Sequence, residues 1–202
     1  MMKAIYALLP LVLLLAGCAT TVKDTTHSFR TVVIDAGHGG KDSGARSRRG
    51  GLEKNDTLDV ALRLDPKLRA AGFNTVLTRR GDYFVELNQR AAISNAQRNA
   101  IFVSIHFNDS PRHGISGIET YYHSSVAIPL AQKVAQNLVP LATVRGVLHA
   151  NFRVLRLNRY PAVLVECGFL SNRREATRCS SPQYHEALAT HLADAIVELR
   201  KK

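Results

Sequence analysis

Hydrophobic and polar positions change register several times along this 202-residue chain. Residues 4–16 form one apolar run, broken only by Pro10 and preceded by the basic start Met1-Met2-Lys3. Thirteen residues are too few for a helix across a bilayer core of ~30 Å, which needs ~20. They match the apolar core of a secretory signal. Residues 20–29 are polar and read as a tether. From Arg30 onward strand and helix patterns alternate. Thr31-Val32-Val33-Ile34-Asp35 is short and β-branched, as in a buried strand. Residues 57–71 space their apolar side chains as a helix does, with Gly72 as its stop. Residues 73–78 predict a second strand. Residues 85–98 predict a helix with Leu87, Ala91 and Ala92 inward and Arg90 and Arg98 outward.

Residues 101–106 and 117–122 predict two further strands, residues 126–139 a helix ended by Pro140, and residues 152–157 a short strand. Residues 161–166 (Pro-Ala-Val-Leu-Val-Glu) are almost unbroken in apolarity, as expected of a strand buried on both faces. Residues 182–200 predict a closing helix with Leu188, Leu192, Ala195, Ile196 and Leu199 on one side. Such alternation predicts a three-layer α/β/α domain with a mostly parallel twisted sheet. Asp65-Pro66 falls inside the first helix and predicts a kink or a split there. The divisions are residues 1–17 as signal, 18–29 as tether and 30–202 as one catalytic domain.

Composition narrows the partners. Lys and Arg number 27 against 16 Asp and Glu, a net charge of +11. Such an excess points to an anionic partner: nucleic acid, a membrane surface or an acidic polymer. The signal changes that choice. It ends in Leu15-Ala16-Gly17-Cys18, which resembles the lipobox of bacterial lipoproteins, where cleavage precedes a lipidated cysteine. The alternative is an ordinary secretory signal with an incidental cysteine. Ala19, rather than Asp, follows; by resemblance to Gram-negative lipoproteins this favours the outer membrane. Met1–Gly17 holds one Lys and no acid, leaving +10 from Cys18 onward. Outside the cytoplasm nucleic acid is not the expected partner. The cell wall, with its free carboxylates, and anionic lipid head groups are. Export also exposes Cys167 and Cys179 to oxidising conditions, where they can pair as a disulfide, remain thiols or serve as small buried hydrophobes.

Three strands end in groups suited to metal chemistry, where ligand sites of such sheets form. The first runs into Asp35-Ala36-Gly37-His38-Gly39-Gly40, the third ends at His106, and the buried strand ends at Glu166. Glu53 lies in the loop before the first helix. Two His and one Glu can hold Zn²⁺ with one position open, and a further carboxylate can serve as general base and then proton donor.

The segment from Ile34 to Ala45 (Ile-Asp-Ala-Gly-His-Gly-Gly-Lys-Asp-Ser-Gly-Ala) resembles the opening motif of the zinc-dependent N-acetylmuramoyl-L-alanine amidases, the Amidase_3 family. Leu52-Glu53-Lys54, the stretch from Phe102 to Asn108 and the stretch from Pro161 to Asn172 match further motifs in the same order. With Leu77-Thr78-Arg79 and Leu87-Asn88-Gln89-Arg90, the match spans about residues 31–200. The resemblance implies one zinc ion per chain held by His38, Glu53 and His106, with Glu166 as catalytic base. The implied reaction hydrolyses the amide between the lactyl group of N-acetylmuramic acid and L-alanine of the stem peptide. Peptidoglycan would be the substrate, with the chain periplasmic and held to the membrane through lipid on Cys18. Asp35 is expected to support the site or to cap its strand.

Sixty positions separate His106 from Glu166. That leaves little room for the autoinhibitory helix that division amidases often insert there, so the domain is expected to be unmasked, whether or not a protein activator exists. Asn108, Arg153 and Arg156 are candidate contacts to peptide or glycan. His113 and His123 are candidates to line the cleft, while His149, His185 and His191 are expected at the surface. A non-catalytic peptidoglycan binder on the same fold is the second reading. It would have been free to lose one of the four chemical positions, and all four are present.

Overall fold

A computed structural model describes residues 21–201. The signal and Cys18 lie outside the described residues. Six strands form one sheet: β1 (Thr31–Ala36), β2 (Asn74–Leu77), β3 (Ala100–Asn108), β4 (Ile118–Tyr122), β5 (Val144–His149) and β6 (Ala162–Phe169). Their order is β2-β1-β3-β6-β4-β5. Neighbours run parallel except β4 against β6. The C-terminal ends of β1, β3 and β6 therefore meet at one rim, where β4 and β5 begin.

Alternation along the strands sorts side chains into two cores. Val32, Ile34, Val103, Ile105, Val163 and Val165 face a large cluster built with α1 (Glu53–Ala70), α3 (Ile128–Leu138) and α6 (Pro182–Arg200). Val33, Phe102, Ala162 and Leu164 face a smaller one, closed by Val154 and Leu155 of α4 (Arg153–Arg156) and by Ile93 of α2 (Leu87–Asn95). Helices thus cover both faces, and the three-layer α/β/α domain expected from the sequence is the observed fold. The smaller core sits under two short helices. Toward the rim it gives way to polar side chains.

Several local expectations are corrected. Helix α1 begins at Glu53 and runs unbroken through Pro66. Proline removes the N–H that the Leu62 carbonyl would accept, but Leu62 is exposed and water can satisfy that carbonyl. Asp65 is also held from outside by Arg69, Arg80 and Thr75. At the far end, Gly72 at φ +85° ends the helix, with Phe73 N–H donating to Leu68 and Gly72 N–H to Arg69. Residues 152–157 contain α4, a four-residue helix, instead of a strand. Strand β5 and helix α5 (Arg173–Cys179) carry little apolar signal, because β5 is a half-exposed edge strand and α5 is mostly charged.

In α2 the expected orientation is reversed at three positions: Arg90 is buried, Leu87 is half exposed and Ala92 is exposed. His185 is also buried, bonded at Nδ1 to Asp59 (2.7 Å) and at Nε2 to the Cys179 carbonyl (2.6 Å). The expected tether is docked in its second half. Lys23 N–H donates to Arg159, Thr25 Oγ1 to Ala100, and Phe29 stacks on Phe73. Of the alternatives the sequence left open for Cys167 and Cys179, the structure has both as free, buried thiols. Burial pushes both thiols well up, Cys179 to about 12, which leaves them unreactive.

Candidate metal centre

The site is built at the carboxyl rim. Just past β1 the chain turns through Gly37-His38-Gly39-Gly40, with His38 at φ +60°. A non-glycine residue rarely adopts that conformation unless its surroundings impose it. Here two buried arginines do so. Arg90 donates to the carbonyls of Ala36 (2.6 Å), His38 (2.6 Å) and Val85 (3.0 Å). Arg79, which is fully buried, donates to Ala36 (3.0 Å), Gly37 (2.8 Å) and Lys54 (2.7 Å). Asp35, also fully buried, balances Arg90 at 2.8 Å and accepts from Thr78 and Ser104, each at 2.7 Å. Burial would lift the Asp35 carboxyl, but Arg90 and these donors hold it below the ordinary carboxylate range.

Glu53 opens α1 and points back at this turn. Its Oε2 accepts from Ala45 N–H (2.8 Å) and its Oε1 from Phe107 N–H (3.0 Å). Oε1 also lies 3.0 Å from His38 Nε2 and 3.0 Å from His106 Nδ1. The two imidazoles meet edge to face, ring centres 4.8 Å apart. One ligand atom from each of His38, Glu53 and His106 lies within 4.8 Å of the others. A tetrahedral zinc site with bonds near 2.1 Å spaces its ligands about 3.4 Å apart, close to these separations. Two neutral-capable imidazoles and one carboxylate are the donor types zinc prefers, so the residues fit the metal.

Gly37 packs against His106, and a Cβ there would lie 2.4 Å from its ring. A Cβ at Gly44 would lie 2.5 Å from Glu53 Oε2. Both glycines are required by close approach. Asp42 Oδ2 is 2.9 Å from His38 Nδ1, but off the line of a ring N–H, and Nδ1 has no hydrogen-bond partner.

The electrostatics favour a charged cluster. Burial opposes ionisation of Glu53, but bonds from His106 and His38 outweigh it and hold the carboxyl far below its usual range. Burial likewise opposes charge on His106, and Glu53 overcomes it, lifting the imidazole to about 9. Glu166 stands apart. It pairs in register with His106 on one side and Glu119 on the other, and its Oε2 is buried with no partner. Burial raises its carboxyl to about 7; the histidines act against this, and the nearby Glu53 and Glu119 add to it. A cleft of about 440 Å³ opens over these groups, lined by His38, His106, Glu166, Phe152, Arg153 and Leu164. Among the described residues no helix caps it: α4 forms one wall, and α3 packs on the opposite face of the sheet.

Of the weaker candidates, Arg153 lines the cleft and donates to Asn88 at 2.5 Å. Asn108 does not line it. It donates to Glu119 (3.0 Å), a carboxylate that also accepts from Tyr121 (2.8 Å) and Arg145 (2.8 Å). Arg156 is exposed, His113 lies beside Arg48, and His123 contacts the Ala150 carbonyl. Arg90, Glu119 and Phe152 are the neighbours that the hydrophobic pattern hides. The weak signal for Arg90 was its place in a motif shared with the amidases.

Comparisons with known proteins identify the family. The profile of the Amidase_3 family, N-acetylmuramoyl-L-alanine amidase, matches residues 32–198. The chain is 36% identical over 196 residues to the uncharacterized protein YqiI of Bacillus subtilis, covering 94% of this chain and 93% of that protein. It is 34% identical over 173 residues to the N-acetylmuramoyl-L-alanine amidase LytC of the same organism, covering 83% of this chain but only 35% of LytC. Among solved structures, N-acetylmuramoyl-L-alanine amidase AmiC2 of Nostoc punctiforme superposes with a TM-score of 0.82 at 38% identity, over 85% of this chain and 97% of that one. The chain belongs to the Amidase_3 family of N-acetylmuramoyl-L-alanine amidases.

Proposed function

We propose that the domain is a zinc-dependent peptidoglycan hydrolase that cleaves the amide between N-acetylmuramic acid and L-alanine of the stem peptide. The observation that carries this reading is the convergence of His38, Glu53 and His106 into one donor set beside the buried, unpartnered Glu166. A zinc ion held there supplies Lewis acidity toward the scissile carbonyl oxygen and toward water. The residues do the rest. Glu166, over the same cleft, takes the proton of the attacking water. As the C–N bond breaks, it returns that proton to the departing nitrogen of L-alanine. Arg79, Arg90 and Asp35 hold the His38 turn in place. Arg153 offers a cation at the cleft wall for a substrate carboxylate or carbonyl.

Digestion of purified sacculi by the full chain tests this. Fragments with a free L-alanine amino terminus are expected, and removal of metal by chelator should abolish them. Cleavage that survives complete metal loss, or cleavage at another bond, would overturn the reading. So would intact sacculi that merely retain the protein. Because no helix among the described residues caps the cleft, the chain is expected to act without an added activator, and inertness until one is supplied would contradict that.

The lipobox-like Leu15-Ala16-Gly17-Cys18 supports a periplasmic chain anchored to the outer membrane through Cys18. Cys18→Ser is expected to move the protein from the membrane to the soluble periplasmic fraction. Unchanged fractionation would argue against the anchor.

A further inference from the structure

A second cavity, of about 510 Å³, opens at the same rim of the sheet, beside the segments that lead into β4 and β5 and out of β6. Its wall carries Arg48, His113, Arg173, Arg174 and Arg178. Glu175 is its one acidic residue, and that carboxylate is already committed. It accepts from Gly117 N–H (3.0 Å), Phe169 N–H (3.0 Å) and Arg178. Arg48 Nη2 lies 2.6 Å from His113 Nε2. A guanidinium only donates, so that ring nitrogen is the acceptor. The contact ties the loop before Glu53 to the loop after His106. Among the described residues Arg48, Arg173 and Arg174 have no carboxylate partner, and the buried Nε of Arg178 has no hydrogen-bond partner. The wall therefore presents donors and positive charge well beyond what the protein itself neutralises.

We propose that this cavity binds the free carboxylates of a peptidoglycan stem peptide beyond the one being cut, and so holds the wall against the cleft. The inference deepens the proposed function and rests on it for the identity of the polymer. Three arguments select the occupant. Guanidinium forks match planar carboxylates in two parallel bonds. A volume of about 510 Å³ greatly exceeds the ~30 Å³ share of a single water, so it suits a short peptide better than one small anion. The rim it shares with His106 and Glu166 lets one polymer reach both openings.

The test is co-sedimentation of the full chain with purified sacculi, in a Glu166→Gln background that leaves the sacculi uncut. Arg173→Ser with Arg174→Ser removes two exposed side chains that hold no structural partner. Losing two charge-assisted contacts is expected to weaken binding about tenfold or more. Arg30→Ser with Arg98→Ser removes the same charge elsewhere on the exposed surface and should leave binding nearly unchanged. Amidating the sacculus carboxylates should weaken the Glu166→Gln chain to the level of its Arg173→Ser/Arg174→Ser derivative. Equal losses from both arginine pairs would reduce the effect to net charge and overturn the site. Undiminished binding to amidated sacculi, or binding lost only when phosphate-bearing polymers are stripped, would overturn the carboxylate. A wild-type chain that cuts no amide would strike the proposed function and still leave the binding comparison readable.

Discussion

Glu166→Gln is expected to lower amide hydrolysis by about 10²–10⁴-fold, the usual contribution of a positioned acid–base group, while zinc content stays at one ion per chain. The substitution keeps shape and removes only the capacity to take and return a proton. Glu166 is outside the convergent donor set of His38, Glu53 and His106, so metal affinity has no reason to fall. Its side chain is suited to that work. It lies over the cleft, its Oε2 has no protein partner, and burial raises its carboxyl to about 7, where taking and returning a proton are both accessible. The fold is expected to be unaffected, because no hydrogen bond among the described residues depends on the group that is lost. Turnover and zinc content measured on the same preparation decide the matter. Residual activity near that of the wild type, or loss of zinc, would remove Glu166 from the assigned role.

Arg90→Ala is expected to have the largest effect on stability, about 3–5 kcal/mol, because it leaves the buried Asp35 carboxylate uncompensated. The carbonyls of Ala36, His38 and Val85 lose their donor in the same step. For a domain of this size the melting temperature should fall by roughly 10 °C. The loss is local as well as global. Without the clamp, His38 has less to hold it at φ +60°, and zinc should bind more weakly. Arg90→Lys keeps the charge but not the planar fork that serves four acceptors, so it should fall between the two. Melting curves with and without added zinc separate the effects: the variant should gain less from zinc than the wild type does. An Arg90→Ala protein that melts and binds zinc like the wild type would show that the turn stands without its clamp.

These two residues illustrate what kinds of information a single sequence carries. Glu166 is legible because it breaks a nearly unbroken apolar run, although β6 continues past it to Phe169. His38 and His106 are legible for the same reason, and Glu53 through the motif it shares with the amidases. Arg90 was misread. Its helix is short and weakly amphipathic, and an arginine there looks like a solvated face. What buries it is a carboxylate 55 positions away. Leu87 was misread from the other side: it is exposed at the lip of a cleft, where apolar surface is useful instead of hidden. Residues 152–157 and the edge strand β5 failed for a related reason. Few of their side chains enter a core, so their pattern follows local geometry and not burial.

The sequence by itself determined the elements that carry a strong burial period: the central strands, the long helices α1 and α6, and hence the three-layer order. Periodicity records which side of an element faces the core, and a long element repeats that record several times. It also placed His38, His106 and Glu166 toward the carboxyl side of β1, β3 and β6. Tertiary structure alone decided that His38, Glu53 and His106 reach within 4.8 Å of one another, since their spacing depends on three separate segments meeting at one rim. It also decided that two arginines and Asp35 hold the turn, that Cys167 and Cys179 are buried, and that unpartnered arginines gather around a second opening. Each of these is a relation between residues distant in sequence, and distance in space is set only when the chain closes its core.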